Sequence, residues 1–171
     1  MSLSSGMRLI AVLAVTAMLP LLAACSGFRP VYGDTMGAAS RYGFDYGTPA
    51  TRIDQVVYAE LRLRLGPDTG DAGTVRVVVS TSANSRAITR TAVVKPATTN
   101  EMTVSGSFTV TGADGEVIAS GSRTASALYE TTGQVLADTA AQTDASERAA
   151  RALAETIRLA ILGALEARPG A

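Results

Sequence analysis

The sequence predicts an α+β fold: a roughly four-stranded, mostly antiparallel sheet with two helices packed on one face, following a lipoprotein signal peptide. Three observations predict it. Apolar residues recur at helical spacing over residues 51–65 and again from about 135 to 167. Between residues 74 and 128, apolar and polar residues alternate as they do in half-covered strands. Ahead of all of these, an uncharged apolar run closes on Leu22-Ala23-Ala24-Cys25.

That leader has the layout of an export signal. Arg8 supplies the positive start, Leu9 to Leu21 carries no charge, and small residues precede the cysteine. Met7 is an alternative start to Met1, because Met7-Arg8 opens a tighter signal. A cut before Cys25 leaves a thiol able to take a diacylglyceryl group and a new amino terminus able to take an acyl chain. Together these anchor a protein stably, since each buried methylene contributes about 0.8 kcal/mol. The uncharged run is short for a transmembrane helix, which needs about 20 residues. With no second cysteine, Cys25 cannot form a disulfide within the chain. Cys25 is therefore the expected lipidation site, and residues 1–24 the signal peptide. Ser26, not Asp, follows it, which leans towards outer-membrane sorting by analogy with enterobacterial lipoproteins.

Residues 25–50 read as the lipidated N-terminus, a tether and a first strand. Gly27, Pro30, Gly33, Gly37, Gly43, Gly47 and Pro49 break any long regular element, while Tyr42, Phe44 and Tyr46 alternate as one aromatic face. Residues 51–168 form a single domain. Its first helix runs to Leu65, with Ile53, Val57, Leu61 and Leu65 in one stripe, Thr51 as N-cap, Asp54 in the first turn and Gly66-Pro67 as the stop. Strand signals follow: Val75, Val77 and Val79 alternate with Arg76, Val78 and Ser80. Asn84-Ser85 is read as a turn, residues 86–95 as the next strand and Pro96 to Asn100 as a loop. Met102 to Val110 and Val117 to Leu128 complete the sheet, joined by the turn residues Gly112-Ala113-Asp114-Gly115. The last helix, from about Val135 to Ala167, carries the stripe Ala145, Ala149, Leu153, Ile157, Ile161 and Leu165. Asp144 with Glu147 resembles a capping pair, so a start or restart is expected there.

Composition narrows the function. The 15 basic and 15 acidic side chains balance, and loss of Arg8 with the leader leaves the mature chain one charge negative. Nothing draws such a chain to nucleic acid. Histidine and tryptophan are absent, and the one thiol is committed to lipid. Zinc sites, His-dependent triads and cysteine nucleophiles therefore lose their residues. No metal, no cofactor and no enzymatic activity are expected.

The segment Gly27-Phe28-Arg29-Pro30-Val31-Tyr32-Gly33 resembles the C-G-F-x-P-hydrophobic-Y start of the LptE (RlpB) lipopolysaccharide-assembly lipoproteins, with Ser26 inserted after the cysteine. Asp144-Ala145, Arg148-Ala149, Leu153-Ala154 and Ile157 resemble that family's last helix, and the Ala- and Arg-rich usage is similar to alphaproteobacterial members. The resemblance implies a lipid-anchored outer-membrane protein that partners and plugs an LptD-type β-barrel and contacts lipopolysaccharide. Lipopolysaccharide phosphates call for Lys or Arg, and the candidates are Arg90, Lys95 (the sole lysine) and Arg123, with Arg86 beside them. The competing reading is that these strand charges discourage edge pairing. Phe28 and Tyr32 suit either a barrel wall or the protein's own sheet. An auxiliary or pilot lipoprotein of another outer-membrane complex would share the anchor and the small domain, and is the alternative.

Overall fold

The computed structural model describes residues 42–70, 74–88 and 98–168. The leader, Cys25, Phe28, Tyr32, Arg90 and Lys95 lie outside them.

Six elements follow one another: β1 (Phe44–Tyr46), α1 (Arg52–Leu65), β2 (Val75–Ala87), β3 (Thr98–Thr111), β4 (Val117–Thr131) and α2 (Val135–Glu166). The sheet order is β1-β2-β3-β4. β1 runs parallel to β2, and the two long ladders β2–β3 and β3–β4 are antiparallel. The chain passes through α1 between the parallel strands β1 and β2, which no hairpin can join. α2 lies over β3 and β4, and α1 packs between α2 and β2.

α1 starts where its sequence says. The Thr51 hydroxyl accepts from the Asp54 amide at 3.0 Å, and the Asp54 carboxylate accepts from the Thr51 amide at 2.9 Å, a closed capping box. Gly66, with φ of 129°, ends the helix at a backbone angle that side-chain-bearing residues avoid. All six residues of the α2 stripe are buried, as are Val57, Leu61 and Leu65 of α1, facing Val77, Val104, Phe108 and Val110 of the sheet. Phe44 and Tyr46 join this core, so the aromatic alternation does form a strand. Gly106 sits under α2 where a Cβ would come within 2.9 Å of Leu153 Cδ2, which is how the helix approaches the sheet so closely.

Three local expectations are corrected. Asn84-Ser85 does not turn; β2 runs through it to Ala87, pairing Asn84 with Thr103 and Arg86 with Glu101. Arg86 and Ala87 therefore continue β2 instead of opening a second strand, and the fourth strand of the sheet is β1. Thr98 to Asn100 belong to β3, not to a loop, because β4 extends to Thr131 and pairs with them. α2 is continuous through Asp144, which forms an i,i+4 pair with Arg148 at 2.8 Å. The start is held instead by Asp138, whose carboxylate accepts from the Thr132 and Gly133 amides at 2.8 and 2.9 Å.

Candidate functional site: the open sheet face and its edges

One side of the sheet is covered by helices; among the described residues no element covers the other. On the open side, even-numbered residues of β2 and β4 alternate with odd-numbered residues of β3. Their register stacks Ser80, Ser107 and Ser122 in one row and Ser82, Ser105 and Thr124 in the next. Ser105 and Thr124 hydroxyls meet at 3.2 Å across the strands. The middle of this face holds hydroxyls and no charge. The charges at its ends are largely neutralised: Arg86 contacts Glu101 at 2.6 Å and Arg76 contacts Asp45 at 2.7 Å. The Arg86 guanidinium beside Glu101 holds that carboxyl below the usual glutamate range. Arg86 is thus engaged with a carboxylate and is a poor candidate for an outside phosphate.

Arg123 stands differently. Its register position, opposite Gly106, puts it on the helix-covered side of β4. From there its guanidinium lies over the Phe108 ring, 5.7 Å from the centroid, and Nη1 donates to its neighbour's carbonyl, Ser122 O, at 2.9 Å. Each of the other described arginines has a carboxylate within 4.0 Å; Arg123 has none among the described residues. It is exposed. A weakly hydrated guanidinium parked on a ring, with donors to spare, is a ready partner for an anion.

The other polar contacts hold the frame. Arg52–Glu147, Arg64–Glu155 and Arg158–Glu155, at 2.7, 3.2 and 2.8 Å, stitch α1 to α2 and stiffen α2. Arg158 and Arg64 keep the Glu155 carboxyl below its ordinary value, the Arg158 hydrogen bonds first. Buried side chains from α1 also reach β2 beyond the short β1. The Tyr58 hydroxyl accepts from the Val79 amide at 2.8 Å and donates to its carbonyl at 3.1 Å. Asp54 accepts from the Thr81 amide at 2.9 Å and hydroxyl at 2.6 Å. The sequence pattern places Asp54 in the first turn of α1 and gives Tyr58 no role; their part in closing β2 depends on long-range geometry that no local pattern carries.

Among the described residues, no cluster of His, Cys, Asp or Glu is arranged to hold a metal ion, and no helix is long and apolar enough to cross a membrane.

The model of the LptE lipopolysaccharide-assembly family matches residues 41–161, the whole of this frame from β1 into α2. The chain belongs to that family. The LptE match agrees with the fold seen in solved structures. A protein of Caulobacter crescentus CB15 assigned as a lipoprotein is similar with a TM-score of 0.59 and 21% identity, over 80% of this chain and 98% of that one. A minor lipoprotein of Acinetobacter baumannii is similar with a TM-score of 0.50 and 12% identity, over 70% of this chain and 94% of that one. At such identities the likeness concerns the fold. No curated protein sequence matches the chain significantly. LptE membership makes this a lipopolysaccharide-assembly lipoprotein in outline; partner, anchor and contact residues are a separate matter.

Proposed function

We propose that this protein is the lipid-anchored plug and assembly partner of an LptD-type outer-membrane β-barrel. Residues 1–24 direct export, Cys25 carries the lipid, and the domain sits on the periplasmic side and within the barrel lumen. It performs no covalent chemistry. The observation that carries this reading is the hydroxyl-lined, nearly uncharged sheet face centred on Ser105. The lumen of a β-barrel is polar, and a face of short hydroxyls packs against such a wall without burying unpaired charge. Arg123, with Arg90 and Lys95, supplies cations for lipopolysaccharide phosphates; the exposure of Arg123 and its lack of a carboxylate partner favour it.

Affinity purification of the tagged, lipidated protein from outer membranes tests the partner. A stoichiometric, detergent-stable barrel that also crosslinks to a photoreactive residue at Ser105 is the expected result. Recovery of the protein alone, or with an unrelated complex, overturns the reading and favours a pilot lipoprotein of another assembly. For the ligand, Arg123→Glu and Lys95→Glu each weaken binding of purified lipopolysaccharide by about tenfold, the equivalent of ~1.4 kcal/mol. Unchanged binding removes them from the site.

A further inference from the structure

The polarity of the ladders reveals what the free edge of β4 offers. Val75 N donates to Gly43 O and Gly47 N donates to Val77 O, so odd-numbered residues of β2 direct their backbone groups towards β1. Even-numbered β2 residues then face β3, and Ile88 N accordingly donates to Thr99 O. Alternation carries this across the sheet: odd residues of β3 bond β2, even residues of β3 bond odd residues of β4, and even residues of β4 face outward. Thr124, Ser126 and their even-numbered neighbours present N–H and C=O groups along an edge with no strand beside it among the described residues.

Two carbonyls of that edge are occupied. Arg123 Nη1 donates to Ser122 O at 2.9 Å, and Arg148 Nη2 reaches from α2 to donate to Leu128 O at 2.9 Å. Asp144 holds Arg148 in place from one turn earlier, at 2.8 Å. β4 is otherwise an inviting template. It is 15 residues long, rich in Ser, Thr and Ala, with a single positive and a single negative side chain. A second copy pairs with it antiparallel about a two-fold axis at Ala125, the centre of the regular ladder from Ala119 to Thr131. In that register Ser122 of one copy faces Leu128 of the other. Both occupied carbonyls then meet across a gap of about 4.8 Å, and the Arg123 and Arg148 guanidiniums fall into the same space at each end of the interface. They take the acceptors an incoming strand needs and crowd the space it would enter.

We infer that Arg123 and Arg148 form a pair of edge guards that keep β4 from adding to a second copy of this chain. The inference is independent of the barrel and lipopolysaccharide reading. Edges are a hazard that sheets must manage, and here the management is by side chains bonded to edge carbonyls, not by a proline or a covering strand.

The two-fold places residue 125 against itself in a pair whose backbone bonds point away from the interface, the geometry with the closest Cα atoms, about 4.5 Å, and within reach of a disulfide. The test uses the full-length lipidated protein in detergent, oxidised with copper phenanthroline and air. Ala125→Cys alone should crosslink little above the parent chain. Ala125→Cys with Arg123→Ala and Arg148→Ala should crosslink at least about tenfold more, corresponding to ~1.4 kcal/mol in favour of pairing. Ala125→Cys with Arg148→Ala alone, which leaves Phe108 covered, should fall between them. A matched set with Ser105→Cys, on the open face away from the edge, should show no rise. Equal crosslinking at position 125 with and without the arginines, or an equal rise at position 105, overturns the inference. Both arginines are exposed, and a melting curve for each variant verifies that the crosslink reports folded protein.

Discussion

Asp54 is where the capping of a helix and the closing of a strand meet, and its removal should cost more than a cap. One carboxylate oxygen accepts from the Ala50 and Thr51 amides at 3.2 and 2.9 Å; the other accepts from the Thr81 amide and hydroxyl at 2.9 and 2.6 Å. Ala50 and Thr51 are exposed and regain water when the carboxylate goes, so that oxygen counts as a cap, about 1 kcal/mol. Thr81 is half-buried, and hydrogen bonds to a charged group are worth about 1.5–3 kcal/mol. Asp54→Ala should therefore destabilise the domain by about 2.5–4 kcal/mol, a large share of the ~5–15 kcal/mol typical of a domain. Asp54→Asn keeps one acceptor and should lose about half of that. The pH dependence has a definite sign. Burial pushes the Asp54 carboxyl up, but hydrogen bonds from the Thr81 and Thr51 side chains and backbones outweigh it, leaving it below the ordinary aspartate value. A folded carboxyl that holds its proton less readily than the unfolded one adds stability that is present above about pH 3.9 and lost as the pH falls through its folded value. Urea unfolding followed by circular dichroism should show the gap between wild type and Asp54→Asn narrowing on acidification. A cost for Asp54→Ala below about 1 kcal/mol, or a gap that does not change between neutral and acid pH, refutes the argument.

Three other outcomes follow from the packing. Gly106→Val places a branched side chain against Leu153, and should lower stability by about 1–3 kcal/mol in the same assay. Leu153→Ala opens a cavity at a fully buried position and should cost about 2–5 kcal/mol, whereas Leu136→Ala, at a position 87% exposed, should stay within about 0.5 kcal/mol. Burial raises the Tyr46 and Tyr58 phenols above their ordinary value near 10. The stability they contribute is intact below about pH 10 and falls as the pH rises through their folded values, so Tyr46→Phe should flatten the alkaline limb of a melting-temperature profile.

How much of this was legible in the sequence depended on how local the cause was. The α2 stripe from Ala145 to Leu165 and the Thr51 cap are set by residues a turn apart, and both are found where the spacing puts them. The Gly112–Gly115 hairpin is likewise local: Gly115 takes φ of 79°, and Gly112 N donates to Glu116 O at 2.8 Å. Asn84-Ser85 has good turn chemistry, yet two ladder partners, Thr103 and Met102, keep it extended. Its strand signal is weak because Ala83, Ser85 and Ala87 are exposed even on the helix side of the sheet, so no large apolar residue is needed there. Asp144 with Glu147 looked like a cap because the spacing is that of a cap; both serve surface pairs with Arg148 and Arg151 instead. The unusual standing of Arg123 required knowing which carboxylates are near every other arginine, which is information about the fold and not about spacing.

The two long edges of the sheet are closed by the same device applied from opposite sides. At β2, beyond the three residues of β1, Tyr58 and Asp54 stand in for a missing strand by bonding Val79 and Thr81. At β4, Arg123 and Arg148 do so at Ser122 and Leu128. The chemistry fits each location. The β2 contacts are sheltered by α1, so a buried hydroxyl and carboxylate can satisfy both donors and acceptors there without water. The β4 edge is exposed, so long guanidinium side chains serve there: they occupy acceptors and fill the space an incoming strand needs. An edge recognises almost any extended chain, because backbone groups are the same in all of them; a face of positioned hydroxyls recognises only a surface of matching shape. A sheet with guarded edges and one open polar face is therefore selective in what it can join, which is the property that the proposed place inside a barrel lumen calls for.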